Sequence, residues 1–380
     1  GRTGEGAAGW ERFVAPWASP IVWLFLGGLV LGRAATKTGF DRALATRVLA
    51  IAGPSPARSL FGLMAVAFLL SMFMSNTAAT AMLVAVATPR VAALPRGEPF
   101  RKALVLGVPV AANLGGMGTL IGSPPNAIAA GALGERAIDF ARWMLVGIPP
   151  SVALLLAAWL VLQRRYAPGV ARVAVAVEPA REPLERLPRW RRIDVAGVLV
   201  TTVGAWLTSS LHGIPTPVVS FLPITVLAAV GVIRSEDLRG LGWDVLVLLA
   251  GGLSLGVAVS ETGLADWFVG TLPMGALGLI GLALAVAYAT ALLSNFMSNT
   301  AAANVLVPVA VALAPSAAPR VAVAVALAAS TAMCLPISTP PNAIAFASKE
   351  LETRDFVGVG LLTGILGPVL CVLWAALVLR

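Results

Sequence analysis

The chain has 380 residues, 58% of them hydrophobic and only 12% charged, with a formal net charge of +9 at pH 7. That balance excludes an ordinary soluble domain, because the charges cluster at the ends of apolar runs instead of interleaving with them. The basic excess is concentrated between apolar runs, which argues for membrane topology and against a nucleic-acid surface.

The chain opens Gly-Arg-Thr, with no cleavable signal pattern before its first apolar run. Residues 1–58 read as a scaffold helix carrying Gly27, Gly28 and Gly32, followed by an amphipathic stretch, Arg33 to Arg58. In that stretch Arg33, Lys37, Arg42, Arg47 and Arg58 are opposed only by Asp41, which assigns it to the cytoplasm. From Ser59 to Leu94 the sequence is almost uniformly apolar. One unbroken helix there would be about 54 Å long against a hydrocarbon core of about 30 Å. A break at Ser75-Asn76-Thr77 leaves two arms of about 16 residues, each short of a full span. The pattern predicts a re-entrant hairpin whose tip lies near mid-membrane, where non-helical backbone is tolerated only around a polar cavity.

Arg101 to Gly134 is interrupted by Pro124-Pro125, and proline both lacks the amide proton and disfavours helix at its predecessor, so a discontinuous span is expected. A span over 142–163 completes a unit of 59–163. A linker over 164–193 follows, with Arg164, Arg165, Arg172, Arg181, Arg186, Arg189, Arg191 and Arg192 against Glu178, Glu182 and Glu185. The positive-inside rule places it in the cytoplasm. Spans at 194–211, 215–234 and 243–258 form a scaffold unit, 194–275. His212 falls in a short connection beside Gly213 and Pro215, which suits a surface position better than a proton relay. The last unit, 276–380, holds a second hairpin from Leu277 to Ala314 around Ser298-Asn299-Thr300. A second broken span, Arg320 to Lys349, contains Pro340-Pro341, and a final span runs from Phe356 to Leu379. Cys334 and Cys371 show no metal spacing and read as packing residues in apolar helices.

The two halves repeat. Phe73 to Ala79 recurs unchanged as Phe296 to Ala302, and Pro124 to Ala129 as Pro340 to Ala345. Gly27-Gly28, Gly32 and Thr38-Gly39 are answered by Gly251-Gly252, Gly256 and Thr262-Gly263. Five crossings separate the hairpins, and an odd number sets them on opposite sides of the membrane. The partner of the basic amphipathic stretch, Val259 to Thr271, agrees, for it carries Glu261 and Asp266 and no base. This is an inverted-topology repeat of the secondary-transporter kind. The second half has two helices before its Gly-Gly helix and the first has none, so at least two further N-terminal helices are expected.

Such repeats put a binding site at the midplane, where half-helix N-termini are partly positive and unwound carbonyls partly negative. Free amides after each Ser-Asn-Thr, with the Asn and Thr side chains, can donate to a carboxylate. Two equivalent clamps imply a ligand with two anionic ends. No Arg or Lys lies within the four motif segments, so a dianion needs positive charge from elsewhere, and bound sodium supplies it. One oxygen cage is read as Ser71, Ser75, Asn76 and the carbonyl of Gly122. The other is Ser294, the carbonyl of Met297, Asn299 and the carbonyl of Ser338. The bland alternative, that small residues only let helices approach closely, is preferred for Gly27, Gly28, Gly251 and Gly252. From Leu60 to Ala130 the only acidic residue is Glu98, and from Ala276 to Ala345 there is none, which favours sodium over protons. No Ser-His-Asp set, metal cluster or phosphate loop suggests an enzyme, and no ring of charges suggests a channel.

At these tips and loops the chain resembles the divalent anion:sodium symporter (DASS) family, from about Trp17 to the end. The resemblance implies an all-α polytopic protein of the cell (inner) membrane, a homodimer whose transport domain moves as an elevator against a scaffold. It implies C4 dicarboxylates such as succinate, malate or fumarate as substrates, with at least two sodium ions and no organic cofactor. Carried over by motif position, the substrate contacts are Asn76, Thr77, Ser123, Pro124, Asn299, Thr300, Thr339 and Pro340. Three family helices that would precede Trp17 are not in this sequence, and the loops differ, Gly122-Ser123 against Ser338-Thr339. A sodium-independent exchanger, or a symporter of citrate or sulfate, would fit the same motifs.

Overall fold

The computed structural model describes residues 9–134, 138–173, 189–264, 267 and 278–379. Among them the regular structure is helical throughout, with no strand.

The first half runs α1 (Pro20–Thr38), α2 (Phe40–Ala52), α3 (Pro56–Ser71), α4 (Asn76–Ala92), α5 (Phe100–Gly115), α6 (Pro124–Leu133) and α7 (Phe140–Arg165). The second runs α8 (Arg189–Leu207), α9 (Phe221–Ala229), α10 (Ser235–Arg239), α11 (Trp243–Glu261), α12 (Gly278–Ser294), α13 (Asn299–Leu313), α14 (Ala318–Ala329), α15 (Pro340–Ala347) and α16 (Thr353–Val378). Helices α3 to α7 are answered in order by α12 to α16: arm, tip, arm, helix, unwound loop, short helix, and a final helix of 26 residues in each half. The arms have 16 and 17 residues in the first half and 17 and 15 in the second, close to the expected length and below the roughly 20 a span requires. Three described helices, Glu11–Thr38, Phe140–Arg165 and Thr353–Val378, are long and apolar enough to cross a membrane.

The core centres on α5 and α14, which are buried along most of their length. Their Ala, Val and Gly residues admit neighbours closely: a Cβ on Gly115 would lie 2.2 Å from the carbonyl oxygen of Phe68 on α3. α14 packs on α6 as well as on α13 and α16, so the two repeats share one interior. Ion pairs tie the repeats together at one end, Arg101 to Glu350 at 2.5 Å and Lys102 to Asp355 at 2.9 Å, with Tyr166 Oη donating to Asp355 at 2.8 Å. Burial and the Asp355 carboxylate push the Tyr166 phenol up to about 12. Elsewhere Arg33 and Lys37 of α1 reach Asp237 of α10 at 3.2 and 2.6 Å.

Several boundaries differ from the sequence reading. The single helix expected over 215–234 is two pieces, Thr216–Val219 and Phe221–Ala229, ended by Gly231 at φ 68°. Pro223 lacks an amide proton for the turn before it, which weakens the join. The helix expected over 194–211 spans Arg189–Leu207, with a separate turn at Ser209–His212. The Arg-rich linker is therefore shorter than 164–193, since α7 holds Arg164 and Arg165 and α8 begins at Arg189; residues 174–188 lie outside the described residues. Asp266 and Thr271 lie outside them too. The basic amphipathic stretch divides at Gly39, whose φ of 69° ends α1, so Arg33 and Lys37 belong to the Gly-Gly helix. Cys371 is buried in α16, but Cys334 sits in the unwound loop, where its amide donates to Asn295 Oδ1 at 2.8 Å. His212 is exposed.

Among the glycine pairs, added Cβ atoms would meet Ser220 O at 2.5 Å from Gly27, Ile121 Cδ1 at 2.8 Å from Gly28, and Asn304 Oδ1 at 1.7 Å from Gly252. Gly251 has open space around it, so close approach explains three of the four.

Candidate functional site

Each tip is built by an N-cap. Ser75, at ψ 137°, accepts a hydrogen bond from Ala78 N at 3.1 Å, and Ser298, at ψ 146°, accepts one from Ala301 N at 3.1 Å. The serine satisfies one free amide and leaves the following Asn and Thr at the open end of the arm. At the other breaks, Ser123 and Thr339 are N-caps in extended conformation, with proline at the first helical position.

The loops before these prolines hold their unwound shape through two asparagines that sequence reasoning passed over. Asn126 Nδ2 donates to the carbonyls of Gly116 and Thr119 at 2.8 and 2.7 Å. Asn342 Nδ2 donates to those of Met333 and Leu335 at 3.1 and 2.9 Å. Further carbonyls are met by Trp143 Nε1 on Met117 at 3.1 Å and Thr363 Oγ1 on Thr331 at 2.9 Å. Six carbonyls of the non-helical backbone thus have side-chain donors, which holds the loops in their unwound shape. Both asparagines stand inside the repeated Pro-Pro-Asn motif, so the repeat itself marked them.

One cavity of about 260 Å³ lies between the tips and the loops. It is lined by all eight residues expected at the substrate: Asn76, Thr77, Ser123, Pro124, Asn299, Thr300, Thr339 and Pro340. The N-termini of α4, α6, α13 and α15 therefore converge on one small space, and among the described residues no Lys, Arg or His lines it. Its volume falls just below the roughly 300–1,000 Å³ of drug-sized pockets, which suits a small anion. Two polar lining residues were missed: Asn113, the one amide in an apolar run of α5, and Asp244 in the first turn of α11. Asp244 corrects the expectation that the substrate region holds no carboxylate; it lies in neither of the acid-poor stretches, Leu60 to Ala130 and Ala276 to Ala345.

Of the expected cation ligands, Ser75, Asn76, Gly122, Asn299 and Ser338 line the cavity. Ser71 and Ser294 are fully buried and are not among its lining residues; Met297 does not line it either and is 43% exposed. In the first cage Ser71 Oγ donates to Asn76 Oδ1 at 2.5 Å. A Cβ on Gly116 would lie 2.8 Å from the Asn76 amide and 3.1 Å from the carbonyl of Gly122, so both groups border the space this glycine leaves free. In the second cage Ser294 Oγ and Asn299 Oδ1 are buried with no hydrogen-bond partner. Ser338 Oγ bonds Asn295 O and Oδ1, both at 3.1 Å, and accepts from Leu335 N, leaving only its carbonyl for the role expected of it. Buried oxygens without partners, beside hydroxyls and carbonyls and without thiolate or imidazole, are the donor set a hard cation such as sodium takes.

Comparison with known proteins gives a consistent picture. A family model described as a citrate transporter, CitMHS, matches residues 5–332. The chain is 30% identical over 402 residues to the sodium-dependent dicarboxylate transporter SdcS of Staphylococcus saprophyticus, covering 96% of this chain and 77% of that protein. It is 28% identical over 406 residues to the SdcS of Staphylococcus aureus, with the same coverage. It is 29% identical over 265 residues to the inorganic phosphate transporter PHO87 of Saccharomyces cerevisiae, covering 69% of this chain and 28% of that protein. Among solved structures, the YdaH transporter of Alcanivorax borkumensis superposes with a TM-score of 0.58 at 17% identity, covering 99% of this chain and 89% of that one. That identity speaks to the fold alone.

Proposed function

The chain belongs to the citrate transporter (CitMHS) family, and from that premise we propose that it is a secondary transporter of C4 dicarboxylates such as succinate, malate and fumarate, driven by sodium. It is a transporter and not an enzyme.

The observation that carries this reading is the convergence of four half-helix N-termini on one cavity that no basic side chain among the described residues lines. Each N-terminus carries about half a positive charge, so the cavity favours an anion, and two equivalent pairs favour a dianion. Sodium adds the missing positive charge from the two flanking cages, at least one ion in each. The short arms act as re-entrant hairpins on opposite membrane faces, and the repeat pair moves as an elevator past a scaffold that includes α1 and α11. The protein works as a homodimer in the inner membrane, with the Arg-rich linker in the cytoplasm.

The test is uptake of labelled succinate into proteoliposomes under an inward sodium or choline gradient. Uptake that requires sodium and proceeds without internal substrate is the expected result. Equal uptake in choline that depends on internal succinate would make the protein an exchanger. Failure with succinate but uptake of citrate, sulfate or phosphate would change the substrate class.

A further inference from the structure

The hydroxyls of the two cavity-lining loop residues, Ser123 and Thr339, are not equivalent, and the difference traces to Asn113. This residue is 1% exposed on α5. Its Nδ2 donates to Thr339 Oγ1 at 3.1 Å and reaches Asn342 Oδ1 at 3.4 Å. Thr339 Oγ1 also accepts from Asn342 N at 3.3 Å as the cap of α15. A hydroxyl has two acceptor lone pairs and one proton. Both lone pairs of Thr339 face donors, so its proton remains to be given, and Thr339 lines the cavity.

In the first repeat the one donor that the described residues bring to the equivalent hydroxyl is Ser330 Oγ, at the long distance of 3.5 Å. Ser123 caps no amide, so its proton is free to turn. Asn126 Oδ1, the counterpart of Asn342 Oδ1, is buried without a partner. At the offset set by the two Pro-Pro-Asn motifs, the position equivalent to Asn113 is Ala329.

We propose that Asn113 is a positioning residue that fixes Thr339 as an obligate hydrogen-bond donor, making the second-repeat end of the cavity the end that requires a ligand oxyanion. A group that must donate there finds no acceptor, whereas an ionised carboxylate gains a donor that pays no cost of reorientation. The inference rests on the reading of the cavity as a carboxylate site.

The test is a double-mutant cycle on succinate uptake by the full chain in proteoliposomes, with Asn113→Ala, Thr339→Val and the pair. Thr339→Val should raise KM by about ten- to hundred-fold, the range expected for a lost hydrogen bond to a charged group. Asn113→Ala should raise KM by a smaller factor with kcat little changed. Adding it to Thr339→Val should have no further effect, because its consequence passes through a hydroxyl already gone. Asn113→Asp supplies a readout that packing alone would not move. Its ionised carboxylate would accept the Thr339 proton and remove the donor, so KM should rise most at high pH and recover as the new acid protonates. Thr339→Ser should keep the wild-type response to Asn113→Ala. Additive effects in the cycle, or an Asn113→Asp penalty independent of pH, would overturn the inference while leaving the transport reading intact. A wild-type protein that takes up no succinate would remove the reading and the inference together.

Discussion

Ser71 and Ser294 stand at equivalent places in the two repeats, yet Ser71 Oγ is bonded to Asn76 Oδ1 at 2.5 Å while Ser294 Oγ is buried without a partner. The amide oxygen that corresponds to Asn76 Oδ1, that of Asn299, is also buried and unmet. If the proposed cation sites are occupied, the first must break a hydrogen bond to admit its ion, whereas the second presents oxygens with no partner to give up. An unmet buried polar group costs about 1–3 kcal/mol, which an arriving cation would relieve.

The two serines should therefore respond oppositely to removal of their hydroxyls. Without sodium, Ser71→Ala orphans Asn76 Oδ1 and should lower the melting temperature, whereas Ser294→Ala deletes an unmet group and should leave it unchanged or raised. With sodium, Ser294→Ala should lose much of the stabilisation that sodium gives the wild-type protein. Thermal unfolding in sodium and in choline reads both effects, and equal sodium-free losses in the two variants would contradict the assignment.

Gly116→Ala tests the first cage by filling it. The new methyl would lie 2.8 Å from the Asn76 amide and 3.1 Å from the Gly122 carbonyl, and the latter belongs to a braced loop that has little room to yield. Sodium-dependent uptake should fall by at least roughly ten-fold while the protein remains folded. Gly118→Ala is the control, since the three atoms nearest its Cβ all belong to the flexible Met72 side chain, from 3.1 Å. Equal activity in the two variants would move the cation away from this position.

The sequence marked the tips and loops because a repeated Ser-Asn-Thr and a repeated Pro-Pro-Asn are costly in an apolar setting, and all eight residues read from them line one cavity. Arm lengths followed from bilayer thickness. What stayed hidden depends on partners remote in sequence. Asn113 matters only because α5 brings it to Thr339, 226 positions away. Asp244 reaches the cavity from a helix whose own motif is a glycine pair, and nothing near it in sequence points to the tips. The divided helix over 216–229 was obscured because its pieces are equally apolar, and hydropathy does not register a local break.

The Asp237 link between α1 and α10 should be insensitive to pH across the physiological range. Burial would raise the Asp237 carboxyl, but the hydrogen bonds from Lys37 and Arg234 N, with the charges of Lys37 and Arg33, outweigh it and hold the group below its usual value. A depressed carboxyl contributes stability that is complete above its unfolded value, about 3.9, and lost as pH falls through the folded one. The melting-temperature difference between wild type and Asp237→Asn should be constant from about pH 8 to about pH 5 and shrink below about pH 4. A difference that grew on acidification would reverse the sign and refute the pairing.

Asp244 bears on the identity of the coupling ion, because among the described residues it is the one carboxylate lining the cavity. On the proposed reading, the negative charge of Asp244 on the cavity wall would repel a dianionic ligand, and solvent at this exposed position screens the effect without cancelling it. Under sodium coupling the group only tunes affinity. Asp244→Asn should then lower the KM for succinate roughly three- to ten-fold at pH 7.5 and leave the sodium dependence unchanged. Under proton coupling the same group would carry the proton, being the only carboxylate, histidine or base on the wall among the described residues. The Asn variant would then lose concentrative uptake and its response to an imposed pH gradient, while still exchanging substrate across the membrane. Uptake in sodium, in choline and under a pH gradient separates the two cases, and loss of pH-driven accumulation in Asp244→Asn would replace sodium with protons as the driving ion.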